Sequence, residues 1–216
     1  MITTRTANAK ERNWCRQGHI DDAVARYILA KELVHNSDAN GYLGAIDEVI
    51  DTDAYDMFRS RDVDLLAHLL HNRCWIEVEV KADGYKEIRE SDGSMHKYIF
   101  VETVSNDVRG SMGWLYTSSA NYFIYYFIQI DKYIIIDADY LRAYVEYNKQ
   151  NLQHKTSQTY ARDNKTVLYR SHGYLVDVYK LNLPIFTPYH CNTYNTAKQQ
   201  MIKEGLLDRD DPDQLF

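Results

Sequence analysis

The stretch Ile76-Glu-Val-Glu-Val-Lys81 alternates apolar and charged residues, and this period of two predicts a β-strand with one buried face. On such a strand Glu79 and Lys81 point the same way. Asp64 stands upstream, inside Arg61-Asp-Val-Asp-Leu-Leu66, whose apolar residues predict a second strand. If the two strands pair, the Asp64 carboxylate comes to lie next to Glu79.

Two converging carboxylates form an oxygen-rich site of the kind that binds a hard cation such as Mg²⁺. A neighbouring lysine can orient an attacking water and offset charge that develops on a phosphate. The alternative is an ordinary amphipathic strand whose Glu79 and Lys81 face water, a pattern that is common on exposed strands. Asp64 favours the first interpretation, because it lies among Val63, Leu65 and Leu66 rather than in a polar run.

The rest of the chain predicts a mixed fold of the α/β or α+β class. A single domain is expected over residues 19–186, after an irregular polar arm at 1–18 and before a C-terminal helix and acidic tail at 187–216. Helices are predicted at Ile20–His35, Asp139–Asn148 and Thr196–Glu204. Strands are predicted at Tyr42–Ile50, Val63–Ala67, Cys74–Lys81, Tyr98–Ser105, Tyr122–Ile130, Lys132–Asp137, Thr166–Tyr169 and Tyr174–Tyr179, and a polar loop at Asn151–Asn164.

Composition narrows the class of protein. The 216 residues carry a net charge of −6, which argues against a tight, non-specific binder of polyanions. No run of apolar residues is long enough to span a bilayer, and the N-terminus has no signal-like apolar region, so no membrane partner is expected. Cys15, Cys74 and Cys191 are widely spaced and are expected to be free thiols in a reducing cytoplasm.

Charge is unevenly distributed along the chain. Asp47–Asp64 contains seven acidic residues, whereas Arg142–Lys180 contains seven basic residues and three acidic ones. A metal-dependent enzyme that acts on phosphates would need both kinds of cluster, but solvated surface faces produce the same pattern. Both interpretations stay open at this point.

The spacing of Asp64 and Glu79-Val-Lys81 resembles the D…(D/E)xK signature of the PD-(D/E)XK nuclease superfamily. The similarity is wider than this motif and is strongest to small phage- and prophage-encoded nuclease-like members. It includes Phe100-Val-Glu-Thr-Val-Ser105, Gly113-Trp-Leu-Tyr-Thr117 and Ala120-Asn-Tyr-Phe-Ile-Tyr125. The chain departs from the pattern in having Val63 where a proline usually precedes the first aspartate, and in carrying an additional glutamate, Glu77.

This resemblance implies a restriction-endonuclease-like core, a central mixed sheet flanked by helices. It implies that Asp64 and Glu79 hold Mg²⁺ or Mn²⁺ and that Lys81 assists the attacking water. In many such nucleases an acidic residue of the N-terminal helix completes the metal shell, and Glu32 is the candidate here, although a surface glutamate is the favoured interpretation. Glu77 and Glu102 are further accessory candidates, and Glu102 is equally compatible with a supporting role and with an ordinary surface position.

Candidate contacts to nucleic acid lie outside the carboxylate cluster. Ser105 and Asn106 fit either a phosphate contact or a turn cap, and capping is the favoured interpretation. The segment Gln150–Lys165 reads as a long basic loop, in which Lys155, Arg162 and Lys165 are candidate DNA contacts.

The leading hypothesis is therefore a Mg²⁺- or Mn²⁺-dependent endonuclease that hydrolyses DNA, with RNA left open as a substrate. A homodimer is also open, because the aromatic strand Tyr122–Ile130 fits either an interface or a buried central strand. The alternative function is a catalytically silent nuclease-fold protein, such as a phage-encoded inhibitor or DNA mimic that binds a host protein. The acidic segments Asp47–Asp64 and Asp208–Asp213 favour this alternative, whereas the presence of the full Asp64, Glu79 and Lys81 set argues against it.

Overall fold

The computed structural model describes residues 9–35, 41–83, 98–160, 166–188 and 193–207. Its helices are α1 (Ala9–His35), α2 (Asp56–Arg59), α3 (Trp114–Thr117), α4 (Ala138–Asn148) and α5 (Tyr194–Lys203), with a 3₁₀ turn at Val178–Leu181. Its strands are β1 (Ile46–Asp51), β2 (Leu65–Leu69), β3 (Cys74–Asp83), β4 (Tyr98–Asn106), β5 (Ser111–Met112), β6 (Tyr122–Phe127), β7 (Lys132–Asp137), β8 (Gln153–Tyr160), β9 (Val167–Asp177) and β10 (Ile185–Phe186). No helix among these residues is both long and apolar enough to cross a membrane.

A central six-stranded sheet has the order β1-β2-β3-β6-β7-β10. It is mixed, because β3 and β6 run parallel while the other neighbouring strands are antiparallel. Together with its flanking helices, this sheet confirms the predicted α+β class. The predicted pairing of the Asp64 and Glu79 segments is also confirmed, since Leu65 of β2 lies opposite Val78 of β3.

The two faces of this sheet bury separate cores. On one face, side chains of β3 and β6 such as Val80 and Ile124 pack against Val24 and Ile28 of α1, with α5 alongside. On the other face, Phe123 of β6 packs with α4 and with a second sheet. A strand covered on both sides reads as a continuous apolar run, which explains the aromatic composition of β6. The aromatic segment is therefore a buried central strand rather than an exposed interface.

The second sheet, of order β5-β4-β9-β8, contains the segment predicted as a loop. That prediction was wrong for Gln153–Tyr160, which forms the edge strand β8 and pairs with β9 over its whole length. Its polar Thr, Ser and Gln side chains are mostly exposed, so the strand shows no hydrophobic alternation that would reveal it. β9 is one continuous strand rather than the two that the sequence indicated.

The N-terminal region also differs from the prediction of an irregular arm, because α1 already begins at Ala9. Residues such as Ala9, Lys10 and Glu11 have high helix propensity but no apolar periodicity, so the pattern missed them. The predicted strand Tyr42–Ile50 likewise starts later, at Ile46. The acidic tail Asp208–Asp213 lies outside the described residues.

Candidate metal centre

Asp64 is anchored at the point where β2 begins. Its backbone N–H donates to the Val78 carbonyl at 2.9 Å, and its side-chain Oδ2 accepts the backbone N–H of Val80 at 2.8 Å. The carboxylate thus continues the hydrogen-bond ladder between β2 and β3 one step beyond the strand itself. Burial raises the pKa of Asp64, although Lys81 and the Val80 hydrogen bond oppose the shift.

Glu79 lies on β3 and is only 3% exposed. One carboxylate oxygen, Oε1, forms an ion pair with the Lys81 ammonium, while Oε2 has no hydrogen-bond partner within the described residues. Burial raises the pKa of Glu79 to about 8, with Lys81 opposing and Asp64 reinforcing the shift. A buried carboxylate oxygen without a partner is costly and calls for an explanation such as a proton or a bound ion.

Lys81 is the third member of the predicted set, and the structure brings it to the same place. Burial alone would lower the Lys81 pKa, but the Glu79 and Asp64 carboxylates outweigh this effect and raise it, so the side chain is a stable cation. Its Nζ lies 5.7 Å from the centre of the Trp114 ring, which packs edge-on against Phe123 of β6. Helix α3 thereby supplies an aromatic wall beside the charged groups.

Helix α1 contributes two residues that the sequence analysis did not assign to the site. Asp22 Oδ1 accepts the backbone N–H of Ala82 at 3.3 Å. Burial raises the pKa of Asp22 above its ordinary value, although the nearby charge of Lys81 opposes the shift. One turn further, Arg26 Nη1 lies 3.7 Å from Asp64 Oδ1, while Arg26 Nε pairs with Asp51 and Nη2 with Asp53. The i, i+4 spacing of Asp22 and Arg26 is the sequence signal that places both on one face of the helix.

Glu32, the predicted helix acid, does not lie at this place. It is ten residues beyond Asp22, about 15 Å along the helix axis, and it is buried where its charge helps to raise the Tyr126 pKa. The acidic residue that α1 brings towards Asp64 and Lys81 is therefore Asp22.

Glu77 shares the face of Glu79 but is fully engaged elsewhere. Both of its carboxylate oxygens lie 2.8 Å from Arg61 Nη2, and Ser119 Oγ donates to Oε2 at 2.8 Å. The two glutamates of Glu77-Val-Glu79 therefore differ. Glu77 is paired with Arg61, whereas Glu79 has an oxygen without a hydrogen-bond partner among the described residues.

Glu102 lies on β4 of the second sheet, on the strand face opposite Ile99 and Val101, which pack in the core above the central sheet. Its pKa is raised by burial, with a hydrogen bond to the Ser171 side chain and the charge of Lys81 opposing the shift. The charge of Lys81 reaches the Glu102 carboxylate, and both interpretations of Glu102 stay open.

The predicted nucleic-acid contacts are scattered. Ser105 Oγ donates to the Met112 carbonyl at 2.9 Å, and Asn106 Oδ1 accepts the Arg109 N–H at 2.9 Å, so both residues hold the turn between β4 and β5. Lys155 is exposed on β8. Arg162 and Lys165 lie outside the described residues.

The donor set fits a hard divalent cation with few protein ligands. Within the described ranges, no three or more His, Cys, Asp or Glu residues form a ready-made metal cage. Mg²⁺ commonly uses only one or two carboxylates and keeps several waters, which matches an anchored Asp64 beside a Glu79 with an unpartnered oxygen. Comparison with family models, with curated proteins and with solved structures gave no match for this chain.

Proposed function

We propose that this protein is a Mg²⁺- or Mn²⁺-dependent nuclease that hydrolyses phosphodiester bonds in DNA. The observation that carries the proposal is Glu79 Oε2, a buried carboxylate oxygen that has no hydrogen-bond partner in the described part of the chain and lies beside Asp64 and a lysine that stays charged. The resemblance of Asp64, Glu79 and Lys81 to the PD-(D/E)XK signature supports the same conclusion.

Asp64 and Glu79 would hold the cation. A cation held by these two carboxylates would supply Lewis-acid stabilisation of charge on the phosphate and would make a nearby water more acidic. Asp64 is kept in position by the Val80 N–H, so its carboxylate needs no reorganisation. Glu79 must give up a proton to act as a ligand, because burial holds its pKa near 8.

Lys81 would hold and orient the attacking water and would balance charge on the non-bridging phosphate oxygens. In the structure the Lys81 ammonium forms an ion pair with Glu79 Oε1. Movement of the flexible lysine side chain towards a phosphate would leave Glu79 free for the cation. The Trp114 ring lies beside Lys81, with its centre 5.7 Å from Nζ.

Cleavage assays test this proposal directly. Supercoiled plasmid, linear duplex, single-stranded DNA, four-way-junction DNA and RNA would be incubated with Mg²⁺, Mn²⁺ or EDTA, with Asp64→Asn and Lys81→Ala in parallel. We expect cleavage that requires the metal and is lost in both variants. Metal-independent cutting, or cutting that survives both substitutions in protein free of contaminating nuclease, would refute the proposal.

A second candidate function, protein binding by a silent nuclease fold, is favoured by one feature. Each carboxylate of the centre already has a cation of the chain beside it, since Lys81 pairs with Glu79 and Arg26 lies near Asp64. A phage-encoded inhibitor or DNA mimic would need no metal, and its acidic segment Asp47–Asp64 would face a host protein. Absence of both cleavage and calorimetric metal binding in folded protein would favour this candidate.

A further inference from the structure

An aromatic ring lies beside the charged groups of the candidate metal centre. Trp114, the first residue of α3, has its ring centre 5.7 Å from Lys81 Nζ. The same ammonium forms an ion pair with the buried carboxylate of Glu79. The ring is therefore a direct neighbour of the lysine that would contact a scissile phosphate.

The backbone around α3 holds this ring in a fixed position. Gly113, just before the helix, donates its N–H to the Thr103 carbonyl at 2.9 Å, and a Cβ at Gly113 would clash with the Glu102 carbonyl oxygen. At the other end of α3, the Arg142 guanidinium donates to the Ser118 carbonyl at 2.7 Å. Because both ends of α3 are anchored, a ligand that contacts Trp114 has little backbone to order on binding.

The Trp114 side chain is only partly buried. It packs against the second core, where its ring meets Phe123 edge-on, with 5.0 Å between the ring centres and 72° between the planes. An edge-on contact does not supply a parallel stacking partner. Leu115, the next residue, is by contrast fully buried, so the packing of α3 on the core does not depend on Trp114 alone. The indole therefore keeps surface on which a flat ligand can lie.

We infer that Trp114 stacks on an unpaired base next to the scissile phosphate, and that the preferred DNA substrate is therefore single-stranded at the cleavage site. This inference rests on the nuclease function proposed above. In a nucleic acid, base and phosphate are joined through one sugar, so a phosphate held by Lys81 brings its base into the neighbourhood of the Trp114 ring. A base within a duplex is already stacked on its neighbours, so contact with the indole requires a base that is out of the stack.

The net charge of the protein favours this kind of contact. At −6, the chain gains little from the release of counterions, which drives electrostatic binding of nucleic acids. Stacking of a base on an aromatic side chain contributes to affinity without a charge on the protein, and it tolerates any base. Binding is therefore expected to depend on the bases of the substrate as well as on its phosphates.

Two probes and three variants test the inference. The probes are a fluorescein-labelled single-stranded oligonucleotide and the same strand with abasic sites throughout, which keeps every phosphate but has no base to stack. The variants are Trp114→Leu, Trp114→Phe and, as the control, Trp75→Leu. Trp75 is 42% exposed on the same face of β3 as Lys81, but it lies about 20 Å from Lys81 along the strand. Binding would be measured by anisotropy in EDTA, and metal-dependent cleavage of single-stranded and duplex DNA would be recorded separately.

We expect the wild type to bind the intact strand about ten-fold more tightly than the abasic strand, and Trp114→Leu to reduce this ratio to about one. Trp114→Phe keeps a ring and should retain most of the ratio, and Trp75→Leu should retain all of it. The ratio separates stacking from a structural role, because a loss of structure weakens binding of both probes. In the wild type it can be measured without any substitution, so a variant that fails to fold does not remove the test.

A ratio of about one in the wild type would overturn the inference. So would a ratio that Trp114→Leu leaves unchanged or that Trp75→Leu lowers equally, and so would faster cleavage of duplex than of single-stranded DNA. With metal-dependent cleavage intact, each of these results leaves the nuclease proposal standing. Absence of both cleavage and metal binding in folded wild-type protein would refute the nuclease function and the inference with it.

Discussion

The backbone N–H of Val80 donates to Asp64 Oδ2 at 2.8 Å, which ties a carboxylate at the start of β2 to the middle of β3. Val80 stands between Glu79 and Lys81, so one hydrogen bond sets the position of Asp64 relative to both. The carboxylate acts here as a substitute for a backbone acceptor. Asp64 lies one residue before β2, and this hydrogen bond holds it to β3 of the sheet.

Because of this hydrogen bond, we expect two substitutions of Asp64 to differ in the stability of the folded protein. Asparagine keeps an oxygen acceptor for the Val80 N–H, whereas alanine leaves that buried donor without one, at a cost of about 1–3 kcal/mol. We expect Asp64→Ala to lower the free energy of unfolding by about that amount relative to Asp64→Asn, measured by urea denaturation. Both variants lack the metal-binding carboxylate, so cleavage is lost in both. Equal stabilities would mean that the hydrogen bond is not formed in solution.

The raised pKa of Glu79 predicts that metal binding releases a proton. Below a pKa of about 8 the buried carboxyl holds a proton that a cation must displace, so affinity for Mn²⁺ rises with pH and levels off above that value. Asp64 and Asp22 also have raised pKa values and act in the same direction, while Lys81 stays protonated throughout. Calorimetric titration in buffers of different ionisation enthalpy measures the released proton.

The matching control for proton release is Glu79→Gln, which has no proton to give at this position. Its release at neutral pH is expected to be smaller than that of the wild type. Affinity that falls as the pH is raised from 6 to 8 would contradict the assignment of Glu79 as a ligand.

Two acidic residues of α1 are expected to differ in their effect on metal affinity. Asp22 lies at the Ala82 end of β3 near Lys81 and Asp64, whereas Glu32 is buried where its charge acts on Tyr126. We expect Asp22→Asn to weaken Mn²⁺ binding about ten-fold, a loss within the range for residues that support a metal site. Glu32→Gln, which removes the same charge, should leave metal affinity unchanged. The reverse result would restore Glu32 as the helix acid of the site.

The sequence was sufficient to predict β2 and β3 as strands, and the approach of Asp64 to Glu79 was expected only if those two strands paired. The strands follow from local patterns, since alternation defines β3 and the apolar run after Asp64 defines β2. The sequence did not decide whether the aromatic run at Tyr122–Phe127 forms a buried central strand or a dimer interface. A strand that is buried on both faces is apolar throughout, so it lacks the alternation of apolar and polar residues that would mark one face as exposed.

Other features depend on contacts between distant segments and could not be predicted. Glu79 reads as a solvated residue in the strand pattern, but it is buried in the structure because the second sheet and α3 cover that face. β8 reads as a loop because its side chains are polar, and only its pairing with β9 makes it a strand. The position of Asp22 depends on how α1 crosses the end of β3, which no local pattern specifies.

The most direct test compares Mn²⁺-dependent DNA cleavage by Glu79→Gln and Glu77→Gln. The two residues lie on the same face of β3 and the substitutions are identical. Glu77 is paired with Arg61, whereas Glu79 has a buried oxygen for which the described residues supply no hydrogen-bond partner. We expect a loss of about 10²–10³ in kcat for Glu79→Gln and wild-type activity within a few-fold for Glu77→Gln. Full activity in Glu79→Gln, or a greater loss in Glu77→Gln, would contradict this expectation.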